Sequence, residues 1–348
     1  MAINLHSKDL AKIAERFSSE SFINGRLSRE YEFTGVKTVR ISTPLTVPLN
    51  DYTRSGANRY GTPVEMGDSV QEESMTRDRS FSLTIDKGNN EDQNGIKPAA
   101  KMMALQVREQ CVPEYDKYCF GQLAQHAGKI SGGTKPTKTN IVERISTGTE
   151  YMDNREVPDS GRTLFLTAEM YKLLRLSPEF LGVDKLAEKS LAKGQVGEYD
   201  GMPVVKVPSS RFPANVNFMI IYRRSAIAPV KFNDTRIHKD PPGISGNLLE
   251  GRQYYDCFVL GAKADGVYAD VATGSGAATI CATPTQSSGT FASTTAGATF
   301  KYTADGTDPR YSRSAKVAAS ESEAEGTEIR VYCYKDGCFP SEILEYTA

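Results

Sequence analysis

A mixed α+β fold in two domains is what this sequence predicts, and three features predict it. Strand-like and helix-like stretches are interleaved through residues 35–272 rather than segregated. One helix candidate, Lys97–Ala127, is long enough to need a large surface to lie on. At Ala272 the texture changes: ATGSGAAT gives way to short aromatic and β-branched runs broken by Asp-Gly pairs. A chain of 348 residues is long enough for two domains and a substantial core.

Residues 1–30 read as an arm. Ser7 can cap a short helix whose apolar stripe is Leu10, Ile13, Ala14 and Phe17. Such a helix lies on its own body or straps a neighbouring subunit. GVKTVRISTPLTVPLNDY follows, a strand in which Val39 and Ile41 alternate with polar residues. Pro44 and Pro48 then keep the chain extended while removing ladder donors. Residues 50–79 are polar, rich in glycine and without a period. RSFSLTIDKGNNED begins a second strand, with Phe81, Leu83 and Ile85 on one face. The expectation is a two-stranded excursion over residues 36–90 with a long polar tip. Structureless loops beyond about 12–15 residues are uncommon in compact domains, and an isolated two-stranded hairpin is marginal in water. The excursion is therefore either mobile or seated on another chain.

In the long helix Pro98 stands where a first turn tolerates proline. Met103, Val107, Cys111, Tyr115 and Tyr118 form one stripe; Met102, Leu105, Val112, Cys119 and Leu123 form a second. At 1.5 Å per residue the rod spans roughly 45 Å. Pro113 interrupts it at a cost of about 3 kcal/mol, which predicts a bend or two abutting helices. Gly128 can close it. An aspartate at Val107 is expected to bury an unpaired charge.

Residues 128–140, GKISGGTKPTKTN, read as a flexible turn. Their glycines and Lys135 do not have phosphate-loop spacing. GRTLFLTAEMYKLLRLSPEFL is a strand, a Thr167 cap and a helix; VDKLAEKSLAKG is a further helix ended by Gly194. Asp200-Gly201 joins two strands, Asn217–Tyr222 is a buried strand, and Asp265-Gly266 turns the chain into a last strand. Beyond Ala272, GATFKYTADGTDP, AKVAAS, TEIRVYCYKDGCF and SEILEYTA read as a small β-sandwich.

The chemistry is sparse. A net charge of −1 with 24% charged residues gives no basic face for sequence-specific nucleic-acid binding. No apolar run is long enough to span a membrane, and MAINLHSKDLAKIAERF has no signal-peptide core. The three histidines are far apart and lack metal spacing. No nucleophile elbow, dinucleotide fingerprint or carboxylate pair stands out, so no catalytic, cofactor or metal residue is assigned and no enzyme is expected. The six cysteines are scattered, which suits free thiols in a reducing compartment. A turn at Asp336-Gly337 sets Cys333 diagonal to Cys338, roughly 7 Å away and unfavourable for a bridge.

The order of parts resembles the major capsid proteins of tailed bacteriophages, whose fold is named after phage Hong Kong 97. LSREYEFTGVKTVRI with VPLNDYTRSGANRYGTPVEM is similar to the start of that family's E-loop, and RSFSLTIDKGNNEDQ to its return strand. GEYDGMPVVKVP and EGRQYYDCFVLGAKADGVYAD resemble the axial-domain hairpin and the closing peripheral strands. The resemblance implies a shell domain over residues 1–272: N-arm 1–34, E-loop 36–90, spine helix 97–127, axial domain about 150–235 and closing peripheral strands 236–272. YTADGTDPRYS in residues 273–348 resembles the Ig-like modules related to the C-terminal domain of chitobiase-type enzymes.

By that resemblance the function is self-assembly into the icosahedral shell of a tailed phage around double-stranded DNA, in hexameric and pentameric capsomers. Expected intersubunit contacts are Asp51, Tyr52, Arg54, Arg59, Tyr60, Glu65, Met66, Arg77, Arg79 and Phe17. A separate scaffolding protein and a portal are implied partners, with non-specific contact to packaged DNA, no membrane, and surface glycans as a ligand class for the Ig-like module. The expected location is the virion capsid, assembled in the bacterial host cytoplasm. No lysine lies between Lys37 and Lys87, so the crosslinking chemistry of some family members is not expected. The module is expected to project outward as an appendage that can be deleted without loss of shells. The competing reading is a carbohydrate-binding or adhesin-like surface protein led by the C-terminal module.

Overall fold

The computed structural model describes residues 20–28, 30–31, 37–47, 49–63, 65–92, 97–177, 195–274 and 280–348. The proposed arm helix with Phe17, and the helix expected over VDKLAEKSLAKG, lie outside the described residues.

The core is organised around a six-stranded mixed sheet. Its strands are β4 (Lys129–Gly133), β5 (Arg162–Thr167), β6 (Gln195–Tyr199), β7 (Met202–Val207), β8 (Val216–Tyr222) and β13 (Val267–Ala272), in the order β4-β13-β8-β5-β7-β6. Side chains alternate between its faces with period two. Leu164, Leu166, Phe218 and Ile220 meet Ile141, Ile145 and Met152 of α4 (Ile141–Asn154) and Met170 and Leu174 of α5 (Ala168–Arg175). Phe165, Met219, Ile221, Ala269 and Val271 face the other way, onto the long rod. A sheet covered on both faces needs continuous apolar strands, and β8 is buried from Val216 to Ile221. Gly148 lets α4 approach: a Cβ there would sit 2.8 Å from Ile220 Cδ1.

The rod is continuous and contains a defect. It comprises α2 (Ala99–Gln106), a π-turn (Val107–Cys111) and α3 (Val112–Gln125). The Val112 N–H bonds to the Val107 carbonyl, five residues back, just ahead of Pro113. The wider turn accommodates the missing proline donor, so the helix neither breaks nor splits. Its core face keeps Met103 of the first expected stripe and Cys119 and Leu123 of the second, and adds residues neither stripe contained. Asp116, Cys119, Phe120, Leu123 and Ala124 are the buried residues of α3, whereas Val107 is only half-buried. Val107 is not fully buried, so the burial penalty expected there is reduced. Gly128 does not close the helix. It lies against the 3-10 turn Gly261–Gly266, where an added Cβ would stand 2.3 Å from the Ala264 carbonyl oxygen.

Three other expectations change. Residues 129–133 are not a loose turn; they pair in parallel with β13. The Asp265-Gly266 turn is the end of that 3-10 segment. The last strand, β13, joins the central sheet beside β8 and not the other closing strands. The Asp200-Gly201 hairpin forms as expected, both residues at positive φ (+49° and +72°), and Thr167 caps α5 by accepting from the Met170 N–H at 3.3 Å.

The excursion is also built differently. β1 (Thr38–Pro44) pairs with β2 (Asp68–Ser74), from Thr38↔Ser74 to Pro44↔Asp68. The strand carrying Phe81, Leu83 and Ile85, β3 (Arg77–Asp86), instead joins β10 (Val230–Lys239) and β11 (Gly246–Tyr255) in a separate antiparallel sheet. Leu83 and Phe81 lie opposite Leu249 and Gly251 of β11, while Ile41 of β1 packs instead with Met75, Ile227 and Leu260.

The C-terminal module pairs a hairpin, β14 (Thr285–Ser287) and β15 (Thr290–Ala292), with a four-stranded antiparallel sheet. That sheet holds β16 (Thr299–Thr303), β17 (Lys316–Val317), β18 (Glu328–Tyr334) and β19 (Leu344–Thr347). Phe291, Tyr302, Ile329 and Val331 form its own core. The module does not hang free. Tyr311 and Phe339 belong to the same buried cluster as Phe120 and Leu123, and Ile280 packs against it.

Candidate assembly surface

The excursion has a rigid base. Ile41 and Met75 pack with Ile227 and Leu260, and Met75 is fully buried. Gln71 is the pivot: its Nε2 donates to the Val259 carbonyl at 2.8 Å, and its Oε1 accepts from the Gly261 N–H at 2.7 Å. Asp256 locks the next residues, accepting from the Thr76 N–H at 2.8 Å and from the Tyr118 hydroxyl at 2.7 Å. Arg77 and Arg79 both pair with Glu114 on the rod, at 2.5 and 3.0 Å, and the Arg77 guanidinium lies 5.0 Å from the Tyr118 ring centre. Burial alone would raise the Glu114 carboxyl, but hydrogen bonds from the two arginines outweigh it and hold it below the ordinary carboxylate range.

The module braces the same base. Ser312 forms an antiparallel bridge with Gln71, and the Arg313 N–H donates to the Val70 carbonyl at 2.9 Å. Tyr311 donates its hydroxyl to the His126 carbonyl at the end of the rod, at 2.6 Å. Arg310 donates to the carbonyls of Ala127 and Gly128 and is held by Asp308 at 2.7 Å. Lys129 pairs with Glu342. Across the junction burial pushes Glu73 up and Lys301 down, and each charge partly offsets the penalty on the other. The cleft between β2, the rod and the module is lined by Glu72, Glu73 and Asp256 against Lys301, Arg310 and Arg313. These balanced charges suit a wet junction better than a substrate site.

A second tie holds the chain entering the body. Asp116 is fully buried beneath residues 20–28. It accepts from the Ser21 hydroxyl at 2.5 Å, the Phe22 N–H at 3.1 Å and Arg211 at 3.0 Å. Burial pushes its carboxyl upward, and those three donors oppose the rise. Phe22, Ile23 and Leu27 fill the core between these polar contacts.

The tip contrasts with its base. Its ladder closes where the Leu45 N–H meets the Gly67 carbonyl at 2.8 Å. Beyond that, among the described residues, its hydrogen bonds run only within the tip: Thr53 to the Arg59 carbonyl, Gly61 to the Asn58 carbonyl, and Arg59 Nε to the Gly56 carbonyl. Tyr52 and Tyr60 meet edge to face at 5.0 Å. Large apolar side chains face outward: Val47 is 60% exposed, Leu49 101%, Tyr60 87% and Met66 69%. Of the expected contact residues, Asp51, Tyr52, Arg54, Arg59, Tyr60, Glu65 and Met66 are all exposed on this tip, whereas Arg77 and Arg79 already have an intrachain partner. Sequence reasoning missed Gln71, Asp256, Asp116, Arg211 and Tyr311; each acts through a partner about a hundred or more residues away, and no local pattern signals it.

No group of three or more His, Cys, Asp or Glu among the described residues has the geometry to hold a metal ion. No described helix is long and apolar enough to cross a membrane.

No family model and no curated protein matches this sequence. Solved structures do match the fold. A chain of Mycobacterium phage Che8 aligns with TM-score 0.59 and 16% identity, over 77% of this chain and 98% of that one. A chain in the asymmetric unit of the bacteriophage PhiM1 mature capsid aligns with TM-score 0.59 and 15% identity, over 78% and 92%. A chain in the capsid structure of the cyanophage P-SCSP1u aligns with TM-score 0.62 and 12% identity, over 77% and 93%. Most of this chain therefore has the fold found in tailed-phage capsid structures.

Proposed function

We propose that this chain is a major capsid protein that assembles with copies of itself into the icosahedral shell of a tailed bacteriophage. The observation that carries the reading is the tip of the β1–β2 excursion: it presents Val47, Leu49, Tyr60 and Met66 to solvent while its base is pinned by Gln71, Met75 and Asp256. A rigid stalk with an uncovered apolar end calls for a surface outside the chain. Covering each such side chain is worth about 1.5–3 kcal/mol, and a neighbouring copy supplies identical surfaces at every position of a closed shell.

In this reading residues 1–272 form the shell domain and the tip lies across an adjacent subunit within hexameric and pentameric capsomers. The sandwich after residue 279 is an Ig-like module that braces the stalk, because Ser312 and Arg313 extend the β1–β2 pair along its second edge. The near-neutral chain, with net charge −1, suits an inner wall that contacts packaged DNA without gripping it. The role is structural, and the place of action is the virion.

The test is the size of the purified protein. Sedimentation with negative-stain imaging is expected to find shells, tubes or capsomers, and Leu49→Asp with Tyr60→Asp to abolish them without changing thermal unfolding of the subunit. A monomer at every concentration would overturn the proposal.

A further inference from the structure

The three-stranded sheet β10-β11-β3 has an open side. β11 lies in its middle, and the outer edge of β10 pairs with no strand among the described residues. That edge is long. Beyond a shift in register between Val230 and Phe232, the β10–β11 ladder runs unbroken from Phe232↔Tyr254 to Lys239↔Asn247. Every residue from 233 to 239 is exposed. Along such an edge, N–H and C=O groups of alternate residues point outward and can pair with another strand. The bulge at one end, and Pro241 with Pro242 at the other, confine a partner strand to the stretch between them.

The charges on the strand select the partner. Cross-strand neighbours, and residues two apart, share a face of the sheet. Asp234 and Arg236 therefore stand on one face with Arg252 and Glu250 of β11, which lie opposite them. All four are exposed. Arg236 donates to Asp234 at 2.9 Å, His238 lies 3.3 Å from Glu250, and Arg252 donates to Asp78 of β3 at 2.9 and 2.5 Å. Across the sheet one row runs Arg252, Asp234 and the next Glu250, Arg236. Opposite signs alternate in both directions, and the grid stops at the open edge.

We propose that β10 pairs antiparallel with β10 of a second copy about a two-fold axis through Thr235, joining two three-stranded sheets into one of six strands. Antiparallel pairing sets outward-pointing residues opposite outward-pointing residues, so a two-fold between identical strands passes through a residue and never between two. Centred on Asp234 or on Arg236, like charges would face each other. Centred on Asn233 or Ile237, Asp234 would face no cation. Centred on Thr235, Asp234 meets the partner's Arg236, and Arg236 meets the partner's Asp234. Each row then alternates without a break: Arg252, Asp234, the partner's Arg236, the partner's Glu250. Thr235 meets its own copy, a favourable cross-strand pair. Ile237, 40% exposed, comes to lie opposite the partner's Asn233. Lys231 and Lys239 would be the like-charged match, but Lys231 sits in the bulge, outside the paired stretch, with its ammonium 5.6 Å from the Tyr254 ring centre. A pair of chains suffices for this contact and the tip takes no part in it, so the inference goes beyond the shell reading and fails or stands separately.

The experiment uses the full chain carrying Leu49→Asp and Tyr60→Asp, so that the tip does not contribute. Sedimentation equilibrium should find dimers at high protein concentration. Adding Asp234→Arg, or adding Arg236→Asp, should weaken the dimer by about tenfold or more, because two opposed pairs become like-charged. Mixing those two chains should restore it, since each strand again meets opposite charge. Thr235→Cys should be linked to its own copy by a short bis-maleimide, with the crosslinked peptide mapped by mass spectrometry. Asn233→Cys, whose opposite residue is Ile237, should not be linked to itself. The substituted positions are exposed, so unfolding midpoints should stay near that of the parent chain. A monomer in this background, unchanged affinity in either charge reversal, a mixture no tighter than its components, or no link at Thr235→Cys would overturn the proposal. The crosslink reads the register even if a charge variant fails to fold. Dimers here, with the wild-type chain forming no larger species, would overturn the shell reading and support this one.

Discussion

Replacing Tyr311 by alanine tests whether the C-terminal module is a structural part of the body. The side chain is 9% exposed and packed in the body's core cluster. Its hydroxyl bonds to His126 at the end of the rod, and its Cβ lies close enough to Gly261 that a methyl there would sit 2.7 Å away. Truncating a buried aromatic costs about 3–5 kcal/mol. Losing the hydroxyl alone costs about 1 kcal/mol, since the exposed carbonyl can find water. Tyr311→Phe should therefore shift urea unfolding slightly and Tyr311→Ala by about three times as much. Native-state proteolysis should then cut Tyr311→Ala between residues 272 and 282, where the module has come away. If Tyr311→Ala unfolds within about 0.5 kcal/mol of the wild type and resists cleavage, the docking contributes nothing and the module is an appendage after all. The same contacts reverse an expectation from sequence. Deleting residues 275–348 strips Tyr311, Phe339 and Ile280 from the core, and it should impair the folding of residues 1–272.

Other consequences can be measured alongside. Gly128→Ala drives a Cβ into the Ala264 backbone and should destabilise the chain by about 1–3 kcal/mol, read from the unfolding midpoint. Asp116→Ala removes the carboxylate from buried Arg211 and should cost about 3 kcal/mol, whereas Val107→Asp should cost less, about 1–2 kcal/mol, because that side chain is only partly buried. Glu114 carries a lowered carboxyl, so the stability it contributes is complete above its ordinary value of 4.5 and drains away as pH falls below it. Glu114→Gln should accordingly flatten the acid limb of the stability profile while costing about 0.5–1 kcal/mol at neutral pH, modest because the pair is partly exposed.

How far the sequence could be read depended on the range over which each feature is set. Val39 and Ile41, the Asp200-Gly201 turn, the Thr167 cap and the buried run Asn217–Tyr222 are local signals, and each appears where the pattern places it. Pairing partners are not local. Nothing in RSFSLTID distinguishes β1 from β11 as its neighbour, and the choice fell to the chain segment that offers Leu249 and Gly251 opposite Leu83 and Phe81. Asp116 reads as a solvated helix charge until Arg211, 95 residues later, arrives beside it. Pro113 read as a bend or a split into two abutting helices, because a sequence does not reveal that a single wider turn will absorb it. The exposure of the tip was legible for the opposite reason: in a long stretch without period, aromatic and glycine-rich, the hydrogen bonds among the described residues run only within the stretch itself. Arg77 and Arg79 looked like part of it and belong to the stalk, since Glu114 reaches both.

The central claim is that the tip of residues 45–67 is completed by a second copy of the chain. Backbone hydrogen exchange over those residues, compared between the dissociated subunit and the largest species that sedimentation isolates, tests it most directly. Rapid exchange in the subunit and strong protection in the assembly is the expected result. Equal exchange in both, or protection already present in a single copy, would contradict it.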